Sequence, residues 1–304
     1  MKRIRTVLLR VAILWGAAAP AVAAAQVRVD QRHPIAANAS IRLTIIVPMA
    51  TVRVTGWNRD TVAITGTIGA NDRFGGGVTS TRLGAKFFVE SQGAFKEKKS
   101  VGKPPWLELR VPARGRLWIK GGGADIDVRE ITGSLDVSIV SGRIHVAGAP
   151  REVNAEAMDG EIEIEGTIPW LRAKSAAGTV TLRGGGEDVA LASVSGNVAV
   201  NGAPITRGRF ETVTGDIRFS GSTPRDGALT FDSHSGAVEL TVPQKIQADF
   251  DFTTISGSIT NGLTGARPVV SRDMRGRELG LSNGGGGARI VVRTFKGAIS
   301  LLAR

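Results

Sequence analysis

The chain contains no cysteine and no tyrosine, and only three histidines among its 304 residues. Without cysteine, disulfide stapling, thiol catalysis, lipid attachment at cysteine and Cys-based metal sites are excluded. Stability must then come from packing and backbone pairing. Aromatic residues make up 5% of the chain, including five scattered tryptophans, which leaves few side chains for the stacking platforms of a polysaccharide enzyme. Beyond the first 25 residues no stretch approaches the roughly 18 consecutive apolar residues of a spanning helix. Collagen is excluded as well, because the 40 glycines follow no period of three while proline supplies only 12 residues. Disorder is excluded by 42% apolar against 22% charged residues. The formal charge of +12 admits acidic partners, yet its cations are dispersed among strands.

The N-terminus reads as a signal peptide. Lys2, Arg3, Arg5 and Arg10 lead into the apolar run Val11 to Trp15, and alanine-rich sequence ends at Ala23-Ala24-Ala25. Pro20 and the short apolar core argue against an uncleaved anchor. Cleavage after Ala25 removes four cations and no acid, leaving 12 − 4 = +8. An exported protein without disulfides suits the bacterial envelope, especially the periplasm.

Alternating apolar and polar residues predict strands at Ile41 to Ile45, Val52 to Thr55 and Val62 to Thr65, with Gly56 to Asp60 as the turn between the last two. Residues 69 to 105 break this rhythm and read as an irregular insertion, with one strand from Lys86 to Ser91 inside it. Beyond Trp106 the sequence repeats. A glycine followed by alternating apolar residues recurs, as in Gly142-Arg143-Ile144-His145-Val146 and Gly160-Glu161-Ile162-Glu163-Ile164. From Gly142 to Gly257 these glycines stand 18, 18, 18, 19, 21 and 21 residues apart, too short for a propeller blade and right for one solenoid coil. Small hydroxyl residues precede them: Ser175, Ser193, Thr212, Ser233 and Thr254 three before, and Ser195, Thr214, Ser235 and Ser256 directly before. A second strand is expected midway round each coil, as at Val153 to Ala155 and Leu229 to Phe231. The fold class is therefore all-β, a single-stranded β-helix or β-solenoid of about 18 to 21 residues per coil. Its domain plan is a signal peptide (1–25) followed by one solenoid domain (26–304). Residues 263–304 form a capping region, whose strands Ala288 to Arg293 and Gly297 to Leu301 cover the C-terminal edge.

The repeats, the turn Val-Thr-Gly-Trp-Asn-Arg-Asp-Thr-Val at 54 to 62, and the ending Ser282-Asn283-Gly284-Gly285-Gly286 followed by Phe295-Lys296-Gly297-Ala298-Ile299 resemble the bacterial DUF4097 family of adhesin-like β-solenoid proteins. The resemblance covers roughly residues 40 to 301. It implies an all-β envelope protein, right-handed winding, and no catalytic residues to carry over.

No catalytic site, metal site or cofactor is expected. His33 near the mature N-terminus, His145 at an outward strand position and His234 in the turn-like Ser-His-Ser-Gly read as surface or structural residues, and the serines before glycines recur, which favours a turn requirement over a unique nucleophile. Glu161, Glu163 and Glu165, like Asp125 and Asp127, read as solvated strand faces without calcium-loop spacing. The glycine runs at 75 to 77, 121 to 123, 184 to 186 and 284 to 287 lack a Gly-Lys-Ser/Thr ending and read as corners. The candidate contact patch is Lys96, Lys98, Lys99 and Lys103 with Trp106. The function these features support is a noncatalytic exported scaffold or protein-interaction module. A polysaccharide-binding or polysaccharide-processing solenoid is the alternative. The partners expected are an envelope protein or an anionic surface or polysaccharide, with no nucleic acid, and homo-oligomers formed through the solenoid ends.

Overall fold

The computed structural model describes residues 26–91, 103–271 and 276–304. The expected signal segment lies outside these residues. The N-terminal strands are β1 (Val27–Pro34), β2 (Ser40–Ile46), β3 (Ala50–Trp57), β4 (Thr61–Ile68), β5 (Asp72–Val78), β6 (Gly84–Ser91) and β7 (Trp106–Pro112). The central ones are β8 (Arg116–Arg129), β9 (Ser134–Ala147), β10 (Glu152–Thr167), β11 (Trp170–Ser175), β12 (Val180–Ser193), β13 (Val198–Asn201), β14 (Ile205–Thr212), β15 (Ile217–Ser220), β16 (Ala228–Ser233) and β17 (Val238–Val242). The C-terminal ones are β18 (Ala248–Thr254), β19 (Ile259–Asn261), β20 (Val269–Val270), β21 (Arg277–Asn283), β22 (Ala288–Thr294) and β23 (Ile299–Ala303). The described residues form a β-solenoid with no helix.

Each coil contributes one strand to each of two faces, with the core between them. On one face the parallel register runs Leu135, Val153, Leu171, Val189. On the other it runs Ile144, Ile162, Val180, Val198, Ile217, Val238, and all six are buried. Alternation does this directly, since a period of two turns Ile162 and Ile164 inward and Glu161 and Glu163 outward. No coil buries a core alone. Each such aliphatic side chain stabilises the stack by about 1.5–3 kcal/mol only when its neighbours cover it. The coils lengthen where the core grows bulkier: Ala155 and Ala173 give way along the register to Phe210 and Phe231, whose rings stack at 4.8 Å. Gly208 makes room there, because a Cβ on it would stand 2.7 Å from the Phe210 ring.

The coils do not stack in chain order at the ends. Ala288 to Arg293 and Gly297 to Leu301, expected to cover the C-terminal edge, instead make an internal coil: β22 lies between β16 and β18, and β23 between β17 and β19. Ile290, Val292, Ile299 and Leu301 are buried, so their apolar faces gain cover on both sides. The more polar β21 pairs antiparallel with the outer edge of β18 and carries β20. The other end follows the same logic. The coil β2–β3 lies between β8 and the later pair β6 and β7, and antiparallel β5 and β4 close it. Residues 69 to 105, expected as an irregular insertion, thus contain a hairpin whose second strand, β6, is part of the stack. Alternation in Ala85, Phe87 and Val89, all buried, explains its place.

Candidate interaction surface

Every coil turns from the first face to the second through a tight corner ending in the repeat glycine. At successive corners Gly160, Gly178, Gly196, Gly215, Gly236, Gly297 and Gly257 stack, and a Cβ on Gly178, Gly196, Gly215, Gly236, Gly297 or Gly257 would meet the preceding glycine's carbonyl oxygen at 1.8–2.2 Å. Close approach of backbones, and not a left-handed φ, demands glycine at those positions. The hydroxyl three residues earlier ties the turn. Ser193 Oγ donates to Gly178 O and accepts from Gly196 N–H at 3.0 Å each, and Ser175 and Thr254 do the same in their own coils. The hydroxyl directly before the glycine donates to the neighbouring corner, as Ser235 Oγ does to Val213 O.

Between these two hydroxyl positions stands the residue that points outward. Reading along the stack it is Val140, Met158, Ala176, Val194, Val213, His234, Phe295 and Ile255. Met158 is 63% exposed, Val194 53% and Phe295 47%. At ~4.8 Å per strand, seven steps make a stripe roughly 34 Å long. Ile46 at the end of β2 and Met49 flank Val47 and Pro48, whose carbonyls pass over Gly122 and Gly123, and continue it. Seven of the fourteen exposed large apolar side chains among the described residues stand on this one corner, so the exposure is a continuous feature and not scatter. A groove of about 820 Å³ runs beside it, walled by Ala176, Val194, Val213 and Phe295 on one side and by Lys174, Glu211 and Arg293 on the other. Reading the repeat by its small residues passes over this stripe, although the signal is plain two positions before each glycine.

The sites expected from sequence fall elsewhere. Lys96, Lys98 and Lys99 lie outside the described residues, while Lys103 and Trp106 are exposed where β7 begins. His33 contacts Gln31 and the Phe87 ring, and His234 stacks on Phe295 at 5.2 Å with planes 3° apart. His145 sits between Asp127 (3.1 Å) and Glu165 (3.7 Å). Burial alone would raise the Asp127 carboxyl, but hydrogen bonds from Arg129 and His145 hold it below its ordinary value. Glu161, Glu163 and Glu165 meet Arg143 and Arg183 on neighbouring coils at 2.9–3.7 Å. Among the described residues no three His, Asp or Glu side chains are grouped to hold a metal ion. Trp118 carries Arg42 and Arg116 against its ring at 5.5 and 5.4 Å, and Trp170 carries Arg172 at 4.5 Å. A sugar stacking there would have to displace a guanidinium.

The coils from β11 to β23 have a relative. Residues 167–301 match the Toastrack DUF4097 family. The Toastrack match takes in the internal C-terminal coil and most of the groove, while the turn at 54 to 62 lies outside it. No curated protein matches the chain. Among solved structures the chain is similar to a candidate adhesin from Bacteroides fragilis NCTC 9343 (13% identity, 92% of this chain and 100% of that one, TM-score 0.40). It is also similar to a candidate lipid binding protein from Parabacteroides distasonis ATCC 8503 (12%, 90% and 96%, 0.37). A third likeness is to a candidate cell adhesion protein from Clostridium sporogenes ATCC 15579 (9%, 91% and 100%, 0.25). Those descriptions belong to the three neighbours.

Proposed function

We propose that this chain is a noncatalytic exported envelope protein whose solenoid holds an apolar corner out to a partner. The observation that carries the reading is the continuous stripe from Val140 to Ile255, because an apolar surface of that extent is kept exposed only where something covers it in use. Export rests on the basic, apolar and alanine-rich order of residues 1–25. Adhesin-like surface association fits a protein of this architecture, and the arginine-covered tryptophans weigh against polysaccharide processing.

The test is crosslinking in intact cells at native expression, comparing the full chain with a Val194→Ser, Val213→Ser, Phe295→Ser variant and with Lys96, Lys98, Lys99 and Lys103 replaced by alanine. The expected result is one dominant envelope partner, lost in the corner variant. Loss in the lysine variant alone would move the contact to the β6–β7 connection. Capture of the same partners by all three forms would sink the reading.

A further inference from the structure

We propose that the corner groove binds a single-chain anionic amphiphile, with the hydrocarbon lying along the Ala176–Phe295 wall and the headgroup in an arginine-lined hollow beside it. The inference rests on the reading above and names the ligand of the same surface.

Two cavities adjoin there. The groove of about 820 Å³ and a hollow of about 390 Å³ share Asp232 and Arg293. The hollow is polar, lined by Arg209, Arg289 and Arg293 against the single carboxylate of Asp232. Arg209 is engaged by Glu211 at 2.6 Å, whereas neither Arg289 nor Arg293 has an ion pair among the described residues. Two unengaged guanidiniums on one strand offer forked donors to a carboxylate or phosphate. Asp232 sets the boundary of that site on the groove side. At the far end of the groove Lys174 is already paired with Glu156 at 3.0 Å, so the unpaired guanidiniums stand at one end only, although Asp249 and Asp251 of β18 lie in register with Arg289 and Val291 beside them.

The groove runs across the stacked coils, and the six coils from Lys174 to Thr253 span roughly 24 Å at ~4.8 Å each. Its main chain is spent. Corner N–H groups of Val194, Val213, His234, Phe295 and Ile255 all donate to carbonyls of the neighbouring coil, as do those of Ser195, Thr214, Ser235, Lys296 and Ser256. The corner hydroxyls are committed as well. An extended peptide binds a solenoid or sheet by main-chain pairing, and on this wall its own N–H and C=O groups would be buried without partners. A hydrocarbon has no such groups to satisfy. It gains from each apolar contact along the wall and loses nothing at the corners.

Titration calorimetry of the purified full chain with dodecyl phosphate below its micelle concentration tests the assignment, with inorganic phosphate as the headgroup alone and phosphatidylglycerol vesicles as the membrane arm. Saturable 1:1 binding of dodecyl phosphate is expected. Binding should weaken at least tenfold in Val213→Ser/Phe295→Ser and in Arg289→Gln/Arg293→Gln, with thermal midpoints unchanged since all four side chains are solvent-facing or on the corner. Inorganic phosphate should bind more than tenfold more weakly. Absence of binding by a folded protein, vesicle adsorption without binding of the monomeric amphiphile, or equal affinity in the variants would overturn it. Should the amphiphile fail while the corner variant still loses its crosslinked partner in cells, only the ligand assignment falls; loss of both removes the functional reading as well.

Discussion

From Gly160 to Gly257 each corner of the stack sets a glycine against the carbonyl of the glycine one coil away, and this fixes what single substitutions do. In Gly215→Ala the new Cβ would lie 1.9 Å from Gly196 O, and main chain on both sides leaves nowhere to move. The expected loss is roughly 2–3 kcal/mol, read as a fall in denaturation midpoint. Gly280→Ala in β21, with nothing within 4 Å of the new atom, should be neutral or gain about 0.5 kcal/mol by restricting the unfolded chain; equal effects of the two would refute the close-approach account. Charged residues on the outer faces act at the same scale. Burial alone would raise the Asp188 carboxyl, but hydrogen bonds from Arg172 and Arg207 hold it below its ordinary value of 3.8. A carboxylate whose folded value is the lower one contributes fully above the unfolded value and loses that contribution as the pH falls through the folded one. The thermal midpoint should therefore decline below about pH 4, and Asp188→Asn should flatten part of that decline while lowering the midpoint at pH 7. A parallel shift at all pH values would show that Asp188 has no such role.

At the scale of the element, the repeat tells what a coil is and leaves open which coils touch. Alternation, hydroxyl-bearing corners and glycine spacing all declare strands and turns locally, so β9 to β17 are legible from Leu135 to Val242 with their inward and outward faces. The placement of β22–β23 between β16–β17 and β18–β19 is not, because Gly297 presents the same local pattern as Gly257 and would suit either position. What decides is long-range: Ile290, Val292, Ile299 and Leu301 are covered only if both flanks are occupied. The stripe at Val140, Met158, Val194 and Val213 escaped sequence reading for the opposite reason, since an apolar residue in a turn is usually taken as packed until the fold shows its corner facing water. The internal position of the last coil has a consequence in hydrogen exchange. Amides of β22 and β23 should exchange as slowly as those of β16 and β17, and β20 and β21 should open first. Fast exchange throughout 288–303, with slow β18, would mean that the coils stack in chain order after all.

For the whole molecule, the issue is how a stack of parallel strands ends. A parallel coil with an uncovered outer edge offers a row of N–H and C=O groups to any other such edge, including that of a second copy. Here the strands laid against the end coils run the other way: β5 and β4 at one end, β21 at the other. The covering strand β21 is glycine-interrupted and buries only Leu279 fully, so it caps β18 while adding little to the core. If covering is its purpose, replacing residues 263–283 by a short turn like that from Gly202 to Pro204 should leave the stacked coils folded but free the edge of β18. Light scattering should then show mass rising with concentration well beyond that of the intact chain, with a strand signal in circular dichroism unchanged. Folded material of unaltered mass would mean that β18 is protected by its own short length, and that the ends need no cover to stay apart.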